Sequence, residues 1–306
     1  MRIDQLLAEA SEPCFSVEFF PPKTEEGRVG MFETVEVLKQ FQPAFFSVTY
    51  GAGGATREGT VEMTEAIRRD HGVETMAHLS CVGETIEGLR EVLDRITAAG
   101  IDNVLALRGD PPRGRSDFVQ PEGGLRSAAE LAALISEHYP QVSIGGTCFP
   151  EVHPEASSLE ADLAYLRTKV ENGARFLISQ LFFDNRVFLD FVEAAREAGI
   201  DVPIIPGVIP VASYGQVKRI CELCSASIPT PLSEAMEAAG GDEAAEFNLG
   251  VAYASQQCAE LLRAGLPGIH FYALNRAPAT RAVLGALHAA RPWEPAEPAA
   301  EGVAAG

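Results

Sequence analysis

The sequence predicts one domain of α/β class, a closed (β/α)8 TIM barrel. Three observations predict it. Eight apolar runs have strand character, segments of helical spacing lie between them, and most runs end in a polar or ionisable residue. An eightfold strand–helix alternation over about 290 residues is the pattern of a closed barrel.

The runs cover residues 14–20, 45–51, 75–80, 104–110, 142–149, 176–183, 202–211 and 269–276. They are rich in Val, Ile, Phe and Leu with little alternation, as in parallel strands buried on both faces. Helical spacing occupies 30–41, 56–70, 84–99, 125–138, 162–172, 186–198 and 279–289. Gly100 and Gly173 follow two of these helices as natural terminators.

Two segments depart from the repeat. Residues 111–124 (PPRGRSDFVQPEGG) form a long Pro- and Gly-rich loop after the fourth strand, of the kind that is often functional. Residues 231–239 and 242–264 read as a helical pair inserted before the last strand. The barrel is expected over 1–292, with this insertion at about 231–264. Residues 293–306 are low in complexity and expected to be disordered.

The chain has 306 residues, 46% hydrophobic and 22% charged, a normal globular balance. No apolar run reaches the roughly 20 residues of a membrane span. The N-terminus lacks a signal-peptide core, so a cytoplasmic location is expected. The net charge of −19 repels phosphate backbones and argues against nucleic-acid binding. An anionic ligand would need local cations, for which Arg108, Lys169 and Arg276 are candidates. Six cysteines are scattered, and Cys221 and Cys224 read as two helix residues one turn apart rather than a redox pair.

In a barrel of this kind chemistry sits where the strands end. That singles out Glu18, Thr49, His78, Asp110, Gln180 and Arg276. Glu18 stands among Val17, Phe19 and Phe20, and such surroundings disfavour the charged form of a carboxylate. A carboxylic acid that keeps its proton can act as a general acid. The plain alternative is a Glu paired with an Arg of a neighbouring strand. Residues 51–56 are glycine-rich but place Thr56 where the dinucleotide fingerprint needs its third glycine. Arg108 and Asp110 are two apart on a strand reading and face the same side, with Gly109 between them. His153 is framed by Pro150 and Pro154, and Gln180 offers a neutral amide that can read a heterocycle's edge. There is no H-E-x-x-H, G-x-S-x-G or P-loop motif. His78, Asp110, His153 and Asp184 could still form a mixed metal site, which keeps a metal-dependent lyase or hydrolase as the competing reading.

The order of motifs resembles one family. The stretches SVEFFPP (16–22), SVTYGAGG (47–54), AHLSC (77–81), LALRGDPP (105–112), FPEVHPEA (149–156), ADLAYLRTKVENGA (161–174), ISQLFFD (178–184), IIPGVIPV (204–211) and HFYALNRA (270–277) are similar to those of methylenetetrahydrofolate reductases of the bacterial, catalytic-domain-only type. The resemblance implies a barrel with non-covalent FAD. It implies that NADH or NADPH reduces the flavin in a ping-pong scheme, and that 5,10-methylenetetrahydrofolate is then reduced to 5-methyltetrahydrofolate, which supplies methyl groups for methionine synthesis. It also implies a homo-oligomer with no allosteric control by a ligand such as S-adenosylmethionine, and no catalytic metal.

By the same resemblance, Glu18 matches the general acid that opens the folate's five-membered ring to an iminium. Asp110 matches the acid near pterin and flavin that stabilises that cation. Gln180 matches the amide that reads pterin or nicotinamide. Thr49, His78, Arg108, Gly109, Asp110, Ala128, Phe149, His153, Ala156, Asp162 and Lys169 fall on flavin-binding positions, and Gln216 and Arg276 on folate-contacting ones. Three positions depart from the family pattern. Phe149 stands where some members carry Tyr, Ile220 where an aromatic residue stacks, and Thr168 where a basic residue precedes Lys169. Loss of the stack at Ile220 removes roughly 0.5–1.5 kcal/mol beyond burial, and Thr168 leaves less positive charge for the FAD phosphates. Together these lost contacts leave a binding protein without turnover as a third reading.

Overall fold

The computed structural model describes residues 1–50, 57–110 and 119–295. The strands are β1 (Cys14–Phe19), β2 (Phe45–Val48), β3 (Thr75–Ser80), β4 (Asn103–Leu107), β5 (Ser143–Cys148), β6 (Ala174–Ser179), β7 (Ile204–Ile205), β8 (Gly207–Val208) and β9 (Gly268–Tyr272). Every neighbouring pair is parallel, in the order β7-β6-β5-β4-β3-β2-β1-β9-β8. Because β7 and β8 are two halves of one strand, that order closes a ring of eight. The predicted barrel is the fold.

The seventh strand differs from its expectation over 202–211. Pro206 divides it, because proline has no N–H for the ladder. Its carbonyl still accepts from the N–H of His270 at 2.9 Å, so the ring closes through the break. Several runs also overshoot. The second, fourth, sixth and last strands stop at Val48, Leu107, Ser179 and Tyr272. Beyond these ends the regular ladder stops, although Thr49 and Gln180 still donate one N–H each to the Phe19 and Cys148 carbonyls of the neighbouring strands.

The helices are α1 (Ile3–Glu9), α2 (Glu25–Lys39), α3 (Arg57–Ala66, continued by a π-helical turn over Ile67–His71), α4 (Ile86–Ala98), α5 (Ala128–His138), α6 (Leu159–Glu171), α7 (Asn185–Glu197), α8 (Tyr214–Cys224), α9 (Thr230–Ala238), α10 (Glu243–Arg263) and α11 (Ala277–Ala290). Side chains of Thr24, Thr85, Ser127, Ser158 and Asp184 cap the helices that follow them, each accepting a first-turn N–H. The expected helical pair before the last strand is α9 and α10. Among the described residues no helix is long and apolar enough to cross a membrane. The glycine-rich turn at 51–56, residues 111–118 of the long loop and residues 296–306 of the tail lie outside the described residues.

Helix α1, which has too little periodicity to be read from the sequence, closes the N-terminal end of the barrel. Ile3 is fully buried with Phe45, Met76, Leu105, Phe176, Ile178 and Ile205. The N–H of Ile3 donates to Asn103 Oδ1 at 2.7 Å, and that of Asp4 to Ser143 Oγ at 3.3 Å. These side chains make an apolar plug, so the polar residues above it open only toward the C-terminal ends of the strands.

Candidate active site

A cavity of about 1050 Å³ occupies those C-terminal ends. It lies at the upper limit of ordinary small-molecule sites. Its lining includes Glu18, Thr49, His78, Arg108, Gly109, Asp110, Ala128, Phe149, His153, Ala156, Asp162, Lys169 and Gln180. The structure therefore brings together in one cavity all the positions expected to bind flavin, with the two predicted acids and the amide. Gln216 and Arg276 are not in the lining: both are exposed, Gln216 in the first turn of α8 and Arg276 just before α11.

Glu18 sits one residue before the end of β1, half-buried at the floor of the cavity. Its partner is no Arg of a neighbouring strand. Its Oε2 instead faces two imidazoles, His78 Nε2 at 3.6 Å and His270 Nε2 at 3.5 Å. Burial lowers His78 to about 4, against the opposing pull of Glu18. His78 is thus neutral at pH 7, and this contact is no ion pair there. Tyr272, two residues after His270 on β9, lines the cavity and donates its hydroxyl to the Ser179 carbonyl at 2.6 Å. Burial raises its phenol well above its ordinary value, so it stays protonated.

Arg108 and Asp110 do not lie on a strand as the two-apart reading requires. β4 ends at Leu107, and Gly109 adopts φ 81°, a left-handed turn that a strand cannot contain. A Cβ at Gly109 would stand 1.9 Å from Ser80 Oγ. The turn nonetheless puts both side chains on the cavity wall. Arg108 pairs with Glu155 through both guanidinium nitrogens, one bond being 3.0 Å, and this pair raises Arg108 above its ordinary value.

Helix α6 turns one face to the cavity, with Asp162, Tyr165 and Lys169 at helical spacing. Asp162 Oδ2 accepts from the His153 N–H at 2.9 Å and so anchors the Pro-framed loop. In the same loop Val152, a β-branched residue, is held at φ 66°. Lys169 is buried, donates to the Thr147 carbonyl at 2.6 Å and lies 5.0 Å from the Tyr165 ring. Burial lowers it to about 8. Phe149 stacks edge-on against His153 at 4.5 Å. Gln180 Oε1 accepts from the Leu181 N–H at 2.9 Å, leaving its NH2 group for a ligand.

Of the departing positions, Ile220 lines the cavity together with Leu223 and Cys224 of α8. Thr168 is exposed and turns its hydroxyl back to the Ala164 carbonyl at 3.0 Å. Cys221 and Cys224 are both free thiols. Sequence reading missed Arg126, Tyr165, Leu223 and Tyr272 as cavity residues. Strand alternation from His270 would have pointed to Tyr272, and the i, i+3, i+7 spacing from Asp162 to Tyr165 and Lys169. Nothing in the sequence pattern marks Arg126 or Leu223. Asp184 caps α7 and pairs with Arg186. Among the described residues no three His, Cys, Asp or Glu side chains converge as a metal site.

The likeness to known proteins agrees with this geometry. A family model described as methylenetetrahydrofolate reductase matches residues 2–288. The chain is 38% identical over 281 residues to methylenetetrahydrofolate reductase (NADH) 1 of Arabidopsis thaliana, covering 88% of this chain and 47% of the relative. It thus spans about half the length of that plant relative. It is 36% identical over 286 residues to 5,10-methylenetetrahydrofolate reductase of Salmonella typhimurium, covering 93% of this chain and 94% of the relative. The Escherichia coli protein of the same name is 35% identical over the same shares. A solved structure, an uncharacterized protein from Clostridium thermocellum that binds two copies of 5-methyl-5,6,7,8-tetrahydrofolic acid, superposes with a TM-score of 0.64. It is 16% identical and covers 93% of this chain and 96% of its own, a likeness of fold.

Proposed function

We propose that this chain, which belongs to the methylenetetrahydrofolate reductase family, reduces 5,10-methylenetetrahydrofolate to 5-methyltetrahydrofolate with NADH or NADPH as reductant and non-covalent FAD as carrier. The observation that carries this reading is the convergence of Glu18, Asp110 and Gln180 on one cavity with the positions assigned to the flavin.

The donor set fits FAD. The N-terminus of α5 opens on the cavity through Ser127 and Ala128, with Arg126 and Arg108 beside it, and backbone N–H groups of that kind suit a diphosphate. Lys169 adds a buried cation that Asp162 partly balances. Arg108, paired here with Glu155, would exchange that partner to hold the diphosphate. His78 Nε2 is buried without a hydrogen-bond partner, which suits a polar ring edge above it. When bound, FAD carries the hydride between the nicotinamide and the folate.

Glu18, at the cavity floor, is placed to give a proton to the folate nitrogen whose departure opens the five-membered ring. Asp110, at the exposed rim, places negative charge beside the cationic iminium carbon. The Gln180 NH2 group donates to a carbonyl of pterin or nicotinamide, which lets one site serve both substrates in turn. Ile220 and Leu223 cover the substrate with aliphatic surface. Gln216 and Arg276 are assigned to the part of the folate that projects beyond the cavity.

The reading is tested by an absorbance spectrum of the purified protein, then anaerobic NADH or NADPH, then methylenetetrahydrofolate. Flavin bands that bleach with the nucleotide and return with the folate are expected. A protein that takes up no flavin overturns the reading, and one that binds flavin but never bleaches belongs to the binding-protein alternative.

A further inference from the structure

His270 is buried completely and lies outside the cavity lining. It sits inside the barrel between the apolar plug and the cavity floor, stacked on Phe45 with ring centroids 6.0 Å apart. Its Nδ1 lies 2.8 Å from Ser16 Oγ, and Ser16 is also fully buried. Its Nε2 has no hydrogen-bond partner, and the carboxylate in reach of it is Glu18, whose Oε2 is 3.5 Å away. The strand register explains the placement. Ser16 pairs with His270 across β1 and β9, and Glu18 with Tyr272. Ser16 and Glu18 are two apart on β1, so both point into the barrel.

The ring has two neutral tautomers to compare in this slot. With hydrogen on Nδ1, the ring donates to Ser16, and a bare Nε2 lone pair faces the Glu18 oxygen. Beside the carboxylate form of Glu18 that arrangement leaves a buried acceptor unmatched and sets two acceptors against each other. A protonated Glu18 could satisfy it only by turning its proton onto Nε2, away from the cavity. With hydrogen on Nε2, Ser16 donates its O–H to Nδ1 and the ring donates to Glu18. Each buried atom then has a partner after a small rotation closes the 3.5 Å contact, as buried polar atoms require. His78, the other imidazole at Glu18, lines the cavity and is available to a ligand. His270 is not in the cavity lining and has only Glu18 to serve.

We propose that His270 is a positioning residue for Glu18: Ser16 fixes it as the Nε2–H tautomer, and that N–H holds the Glu18 Oε2 inward so that Oε1 carries the exchangeable proton toward the substrate. A protonated carboxyl keeps an acceptor on Oε2, so the same bond serves Glu18 before and after it gives up its proton. Glu18 is left as a carboxylate that the same N–H still serves, and no proton crosses the imidazole. The inference rests on the reading of Glu18 as the acid that protonates the folate.

Two experiments test it. In the full chain labelled with ¹⁵N-histidine and free of flavin, nitrogen chemical shifts report which ring nitrogen carries hydrogen. The proposal expects a neutral Nε2–H form for His270, and a shift toward a tautomer mixture in Ser16→Ala. An Nδ1–H or doubly protonated ring in the wild-type chain overturns it, and this readout needs neither activity nor a folded variant.

In the flavin-loaded protein, His270→Phe removes the donor and His270→Gln keeps an N–H. Folate-dependent reoxidation is expected to slow at least tenfold in His270→Phe, part of the roughly 10²–10⁴ that a positioned acid contributes. Reduction by nucleotide should stay near the wild-type rate, and His270→Gln should recover part of the loss. Equal losses in both half-reactions, or a Gln variant no better than Phe, overturn the proposal. The result that instead defeats the acid assignment is a Glu18→Gln protein with unimpaired folate reduction, which leaves the tautomer measurement intact.

Discussion

Asn275 binds the backbone of Phe20 with both ends of its amide, accepting from the Phe20 N–H at 2.9 Å and donating to the Phe20 carbonyl at 2.8 Å. This clasp joins the loops that follow β9 and β1, immediately beyond Tyr272 and Glu18. It requires Asn275 and Leu274 to adopt left-handed backbone, at φ 56° and 51°. Asn tolerates that conformation better than most residues. The acid candidate therefore stands on a strand whose exit is fixed, as a preorganised site demands.

Asp110 is expected to act through its charge. In the proposed function, negative charge there would disfavour an anionic reduced flavin and favour a cationic folate intermediate. Asp110→Asn is expected to raise the flavin potential in a spectroelectrochemical titration. Folate-dependent reoxidation should slow by roughly 10², the scale of a lost electrostatic contact to a transition state. A variant with unchanged potential and rate would place Asp110 away from the reacting rings.

Lys169 links binding to stability. Its folded value of about 8 lies below the ordinary lysine value of 10.5. Between these pH values the unfolded chain holds a proton that the folded chain has released, so stability rises with pH across that window. Below pH 8 the full penalty, roughly 3 kcal/mol, is present. Lys169→Met removes it and also loses the bond to Thr147, about 1 kcal/mol. The variant should be more stable than wild type at pH 7 by about 2 kcal/mol in urea unfolding, with the order reversed above pH 10.5. Its affinity for FAD should fall. Lower stability at pH 7 would show that the buried ammonium is well compensated.

His78 governs the acid side. Burial holds it at about 4 against an ordinary 6.5. The unfolded chain takes up a proton between these values that the folded chain refuses, so stability is lost as pH falls from 6.5 toward 4. The loss amounts to roughly 3 kcal/mol. His78→Gln should flatten this limb of the unfolding profile, and an unchanged slope would show that the ring is solvated.

Gly109 tests the cavity wall. Its φ of 81° and the 1.9 Å approach of a Cβ to Ser80 Oγ both exclude a side chain. Gly109→Ala should cost about 1–3 kcal/mol of stability. It should also weaken FAD binding, since Arg108 and Asp110 hang on that turn. Calorimetry of FAD binding beside urea unfolding separates the two effects, and wild-type values in both would mean that the turn relaxes freely.

Strands buried on both faces announce themselves in a sequence as continuous apolar runs, and barrel chemistry concentrates where they end. Glu18, His78 and Gln180 are legible as cavity residues for that reason. The seventh strand is harder to read, because hydrophobicity does not register that Pro206 cannot donate to a ladder. The turn at Gly109 is hidden because its φ follows from Ser80 on the neighbouring strand. His270 reads in the sequence only as part of the last strand. Its meaning depends on Ser16, a partner more than two hundred residues away that only the register of β1 with β9 brings close. Helix α1 carries too few residues for its periodicity to be read, yet it closes the barrel floor.

In the proposed function one division of labour is central: the proton of Glu18 would serve folate reduction and have no part in flavin reduction by the nucleotide. Stopped-flow measurement of the two half-reactions in Glu18→Gln tests this directly. Bleaching of the flavin by NADH or NADPH should proceed near the wild-type rate, while reoxidation by methylenetetrahydrofolate should fall by roughly 10²–10⁴ or more. Equal losses in both half-reactions, or full folate reduction without the carboxyl, would contradict it.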